Sequence, residues 1–121
     1  MKYLQKFNEN LSPKILELLN ILEKYRLKYS DITPIINIDN NAFNKIKNKY
    51  NFTKQINRGG TISLINYTKK ATIAIKQLED DYFIIILSLK NKVCYYKVDQ
   101  LYNLMKFLNL LEKYNLLHKN K

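Results

Sequence analysis

Two hydrophobic periodicities divide this chain near residue 60. Before that point apolar side chains recur at helical spacing; after it they alternate or run together as they do in strands. In SPKILELLNILEKYRLK, residues 12–28, Ile15, Leu18, Leu19, Leu22 and Tyr25 share one face. Leu16 and Ile21 widen the stripe, so this helix is expected to bury most of its girth. Ser12 suits the N-cap, where its oxygen accepts an orphan amide. Pro13 suits the first helical position, where no backbone donor is needed. Tyr3, Leu4 and Phe7 form a short apolar preface, read as a helical turn. Thr33 precedes Pro34 and avoids the helical region, which ends any helix by then. IINI, 35–38, reads as a brief strand, and Asp39 or Asn40 as the cap of a short helix through Tyr50.

From Thr61 the pattern changes to four runs rich in β-branched and aromatic residues: TISLINY (61–67), ATIAIKQL (71–78), YFIIILSL (82–89) and KVCYYKV (92–98). The links between them have hairpin length, which predicts an antiparallel meander. Its third strand is internal, and an apolar residue at nearly every position means that both sheet faces are dry there. The second helical pattern, DQLYNLMKFLNLLEKYN (99–115), places Leu101, Leu104, Leu108 and Leu111 on one side, with Asp99 as its cap. It is expected to cover one face, and the 13–28 helix or a second subunit the other. The first strand, 61–67, contains no Lys, Pro or acid, the residues that usually blunt an edge. It therefore reads as an open edge that pairs with another segment, such as 35–38, or with a partner chain. The expected fold is α+β in a single domain, 1–121. Residues 1–58 are mainly helical, 61–98 form a four-stranded antiparallel sheet, and 99–115 form a C-terminal helix packed on it.

The run 82–89 is eight residues long, whereas a membrane helix needs about 20 apolar residues. No membrane association is expected. The opening MKYLQKFNENLSPK lacks an apolar segment and a small-residue cleavage pattern, which predicts an intracellular protein, cytoplasmic or within an organelle, and not a secreted one. The single cysteine, Cys94, excludes an internal disulfide.

Lys and Arg number 21 against 10 Asp and Glu, a formal charge of +11. Nineteen of the basic residues are lysine, while asparagine occurs 16 times, isoleucine 15 and glycine twice. That profile follows A/T-rich codons and inflates lysine without reference to any ligand. It does not account for the scarcity of acids, since their codons tolerate A/T as well. The excess therefore points to a polyanionic partner.

Chemistry-bearing residues are few. His118 is the only histidine and has no nucleophile or carboxylate placed beside it by the sequence. Cys94 alternates with Tyr96 and Val98 on its strand and reads as a small core thiol. Glu79, Asp80 and Asp81 are consecutive in a turn, whereas hard metal ions draw on spaced oxygen ligands. Arg58-Gly59-Gly60 precedes a strand, the reverse of a phosphate-binding loop, and reads as a hinge. No catalytic residue, cofactor or metal is expected. The strongest local feature is NAFNKIKNKYNFTKQINR, 41–58, in which Lys45, Lys47, Lys49, Lys54 and Arg58 carry five charges with no acid among them. Phe43, Ile46 and Tyr50 fall on one helical face, with Lys45 and Lys49 opposite and Asn44 and Asn48 between. Lysine and asparagine on one face suit phosphate and sugar contacts; Tyr50 and Phe52, where exposed, would stack bases.

Four antiparallel strands followed by one helix, over 61–115, are similar in layout to the positive-cofactor-like and Whirly single-stranded DNA-binding proteins. The resemblance implies dimerisation through the helix and a nucleic-acid groove on the sheet. The lysine-rich, arginine-poor composition also resembles that of some organelle-encoded ribosomal proteins. The resulting expectation is a non-enzymatic nucleic-acid-binding protein, with RNA in a ribonucleoprotein favoured over single-stranded DNA. Its contacts would come from Lys45, Lys47, Asn48, Lys49, Tyr50, Lys54 and Arg58. The rival expectation is a protein-interaction module, for example a viral or phage factor, or a homodimer, docking through strand 61–67 or the C-terminal helix.

Overall fold

A computed structural model describes residues 12–28, 37–78 and 81–120. The order of elements is helix α1 (Pro13–Leu22), a 3-10 turn (Glu23–Tyr25), helix α2 (Asn40–Lys49), strands β1 (Thr53–Ile56), β2 (Ile62–Tyr67), β3 (Ala71–Gln77), β4 (Tyr82–Leu89) and β5 (Lys92–Asp99), and helix α3 (Leu101–Lys113). The strands form one antiparallel sheet in sequential order, β1 through β5. The fold is thus α+β with five strands where the pattern predicts four. The Tyr3–Phe7 preface, residues 35–36 and Glu79-Asp80 lie outside the described residues.

The helix starts follow their caps. Ser12 accepts the Ile15 amide at 3.2 Å, with Pro13 at the first position, and Asp39 accepts the Ala42 amide at 2.8 Å. α1 ends sooner than its periodicity suggests. Tyr25 leaves the α-helix to set its ring edge-on to Phe107, 5.6 Å between centroids. Residues 26–27 then run alongside β5: Arg26 bridges Tyr96, and the Leu27 amide donates to the Tyr95 carbonyl at 2.8 Å. The start of α3 also differs. Asp99 is the last residue of β5, and Gln100 takes the cap position with φ of 65° and no side-chain cap bond. Asp99 instead accepts the Asn103 side-chain amide at 3.1 Å.

β4 is the interior strand that its composition requires. Phe83, Ile85, Leu87 and Leu89 are buried on one face, in register with Ile73 and Ile75 of β3 and with Cys94, Tyr96 and Val98 of β5. α1, α2 and α3 all pack on this same face, through Leu18 and Leu22, Ala42 and Ile46, and Leu104, Phe107, Leu108 and Leu111. The expectation that α1 and α3 would take opposite faces is therefore corrected. Tyr25 and Tyr96 both contact Phe107, which draws the end of α1 and the body of α3 onto one side. The expectation that both faces are dry holds only on this helix-covered face: opposite it Tyr82 is exposed and Ile86 and Ser88 are half-buried, and among them only Ile84 is fully buried. It lies between Lys76 and Lys97 in register, and Lys97 lies along the sheet with its ammonium 4.5 Å from the Tyr82 ring centre. Lysine stems can cover apolar surface in this way while their charges stay in water.

β1 corrects the reading of 61–67 as an edge. Thr53–Ile56 pairs with Ile62–Ile65, so β2 has neighbours on both sides, and the chain closes that edge with its own residues. Of the segment 35–38, Ile38 lies within the described residues and is buried in the core. Gly59 and Gly60, both near φ of +89°, form the β1–β2 turn, a backbone region that glycine enters without steric cost.

The segment after α3 is anchored. Leu116 and Leu117 are fully buried. Asn120 closes the C-terminal end of α2: its backbone amide donates to the Lys49 carbonyl at 2.9 Å, and its side-chain amide to the Lys47 and Tyr50 carbonyls at 2.5 and 3.2 Å. The last carbonyls of a helix have no partner within it, so a residue 70 positions away completes α2. Asn120→Ala is expected to lower stability by about 1–2 kcal/mol, read as a lower urea midpoint at unchanged slope.

Candidate nucleic-acid interface

Five of the seven residues expected to meet nucleic acid lie on α2 and β1, in three groups. Lys47 and Lys54 converge. Their ammonium groups stand 5.5 and 5.8 Å from the centre of one ring, that of Phe43, which is half-buried against the core. Lys54 reaches it because its register partner is Leu64, a buried residue of the helix-covered face, so its side chain leaves β1 on the α2 side. Each contact of this kind contributes roughly 0.5–1 kcal/mol at an exposed site. Lys45 and Asn48 are exposed on the outer arc of α2. Lys49 turns to α3, donating to Asn109 Oδ1 at 2.9 Å.

Arg58 and Tyr50 do not join this group. Arg58 is exposed in the β1–β2 turn, at the end of the sheet away from Lys49. Tyr50 is fully buried, as is Phe52 apart from 2 % of its surface, so neither ring is open to a base. Tyr50 is held there because its hydroxyl donates to Asn109 Oδ1, the oxygen that also accepts from Lys49. Phe43 is the aromatic residue that remains at the surface of this segment. The sequence pattern sets Phe43 on one face with Ile46 and Tyr50, and it is the fold that buries those two and leaves Phe43 half-exposed.

Acidic and basic residues partly separate along the sheet, with Arg58 of the β1–β2 turn at the end that also carries Asp81. The β2–β3 and β4–β5 turns, with Lys69, Lys70 and Lys90, lie at one end. Asp81 in the β3–β4 turn, Asp99 at the end of β5 and Asp39, whose amide and carboxylate bond the Gln77 side chain, lie at the other. Among the described residues the ion pairs are Arg26 with Glu23 and Lys119 with Glu112, so no lysine of 45–54 is paired to a carboxylate.

The remaining chemistry is sparse. Cys94 is buried beside Tyr96. His118 is exposed and borders a cleft with Lys69 and Lys70. No group of acidic, histidine and cysteine residues suited to a metal occurs among the described residues. No described helix is long and apolar enough to cross a membrane. The apolar side of α3, which the layout resemblance assigns to a second subunit, is buried against the chain's own sheet. No protein-family description, curated protein or solved structure matches this chain.

Burial, and secondarily the charge of Glu112, hold the Tyr50 phenol up at about 12, against 10.0 ordinarily. Burial also raises the Tyr96 and Tyr114 phenols above their ordinary value. A raised folded-state value means that the protonated phenol stabilises the fold fully below pH 10, and that this contribution is lost as pH rises from 10 toward 12. Urea unfolding at about pH 9 and about pH 11.5 is expected to show a falling midpoint in the native chain. Tyr50→Phe should show a smaller fall, after an initial cost of about 1 kcal/mol for the lost hydrogen bond.

Proposed function

We propose that this chain is a non-enzymatic nucleic-acid-binding protein that holds a strand through lysine–phosphate contacts along α2 and β1. RNA within a ribonucleoprotein is preferred over single-stranded DNA, on the compositional likeness to lysine-rich ribosomal proteins. One observation carries the reading: two ammonium groups, Lys47 and Lys54, lie 5.5 and 5.8 Å from the centre of one half-exposed ring, Phe43, and among the described residues neither is paired to a carboxylate. A phosphate beside this ring would be drawn by both charges. The exposed part of the ring offers a stacking surface of the kind that single-strand binders use. Lys45 and Asn48 extend the surface along the outer arc of α2, where they would position phosphate and sugar without reading sequence.

A second reading rests on α3. Tyr102 is 67 % exposed there, with the Lys106 ammonium 4.9 Å from its ring centre. That pair would suit an acidic protein partner. A complex recovered from cells that survives nuclease treatment favours this second reading; one that dissolves favours the first.

Binding to single-stranded RNA should be detectable at about 50 mM salt and fall steeply above it, since each phosphate contact on a single strand adds about 0.7 to the slope of log K against log salt. The double variant Lys47→Glu/Lys54→Glu should lose at least about tenfold in affinity and about 1.4 in that slope, with an unchanged circular dichroism spectrum. Absence of binding by the native chain to RNA and single-stranded DNA at about 50 mM salt would sink the proposal.

A further inference from the structure

A second basic feature lies at the other side of the same sheet end and uses none of the α2–β1 lysines. A cavity of about 730 Å³ opens between the start of α1, the β2–β3 and β4–β5 turns and the end of α3. That volume falls within the range that encloses small ligands, about 300–1,000 Å³. Four lysines from three separate elements line it: Lys14 of α1, Lys69 and Lys70 of the first turn, and Lys90 of the second. No carboxylate lines it among the described residues. Tyr114 of its wall has its phenol raised by burial and then by the charge of Glu17, which does not line the cavity. The floor is apolar, formed by Ile15, Leu89 and Leu116.

The start of α1 does not itself make the site, because Ser12 already satisfies the Ile15 amide there. What the cavity adds is convergence. The antiparallel register brings the two turns to one end, since Ala71 pairs with Leu89 and Leu89 with Lys92. Lysines of two hairpins thus meet a third element over a concave apolar surface. Cations gathered with no carboxylate of the described residues among them suit a compact dianion, and the apolar floor suits the organic group that it carries. We propose that this cavity binds a small phosphate monoester, with the phosphate among Lys14, Lys69, Lys70 and Lys90 and the organic part over Ile15, Leu89 and Leu116.

Adenosine monophosphate, inorganic phosphate and adenosine are the probes, titrated calorimetrically into the full chain at about 20 mM salt, where surface charge is little screened. The monophosphate should saturate one site with Kd below about 1 mM, inorganic phosphate should compete for it, and adenosine should not bind. Lys70→Glu/Lys90→Glu should weaken the monophosphate at least about tenfold, and Lys47→Glu/Lys54→Glu should leave it within about twofold. These lysines are exposed, so a native circular dichroism spectrum is expected for both variants. Three results overturn the proposal: no saturation by about 5 mM, adenosine binding as well as its phosphate, or equal losses in the two double variants, which would mark general attraction to a basic protein.

Discussion

The arrangement depends on the burial of β4. An eight-residue strand that is apolar on both faces cannot stand at an edge or against water without a large unfavourable exposure. Pairing with β3 and β5 satisfies its backbone, and α1, α2 and α3 then cover Phe83, Ile85, Leu87 and Leu89 together. Fully burying each such side chain contributes roughly 1.5–3 kcal/mol. The second face is handled differently. Ile84 sits between Lys76 and Lys97 in register, and the Lys97 side chain runs to the Tyr82 ring, covering apolar surface while it carries charge outward.

Polar side chains then complete what the apolar core leaves open. Gln77, buried, bonds both the Asp39 amide and its carboxylate, and so ties the start of α2 to β3. Asn120 ties the other end of α2 to the segment after α3, while Asn109 joins Lys49 and Tyr50 to α3. α2 has few apolar residues of its own, with Ala42 and Ile46 buried. Its position is therefore set by these amides at least as much as by burial. That matters for the proposed interface, because α2 presents Lys45, Lys47 and Asn48, and a helix held at both ends presents them at fixed spacing.

Sorting of charge follows from the meander itself. Alternate turns of an antiparallel sheet lie at opposite ends. Lys69, Lys70 and Lys90 occupy the turns of one end, and Asp81 with the flanking Asp99 and Asp39 the other. A uniform lysine surplus from codon usage does not by itself produce such polarity. Lysines and acids of the later turns separate because the turns alternate between the two ends, while Arg58 in the β1–β2 turn shares the end that carries Asp81.

Local pattern was enough for much of the architecture. The Ser12 and Asp39 caps, the strands near 62–67, 71–77, 82–89 and 92–99, and the interior place of 82–89 all follow from short-range periodicity and turn length, which act within a few residues. The lysines of α2 were likewise visible as a run without acids. Other features required the fold. β1, Thr-Lys-Gln-Ile, has four exposed residues and no alternation to read; it is a strand because β2 offers it an edge. Tyr50 was indistinguishable from a surface aromatic until Asn109, 59 residues away, was seen to accept its hydroxyl. The meeting of Lys47 with Lys54 on Phe43, and of Lys14 with Lys70 and Lys90 around one cavity, belongs to the same class. The chain by itself determined which residues must be dry and where helices and strands begin, because those depend on neighbours in sequence. Which charges meet, and which aromatic ring stays at the surface, was decided by tertiary contacts between distant segments, whose pairing no local periodicity encodes.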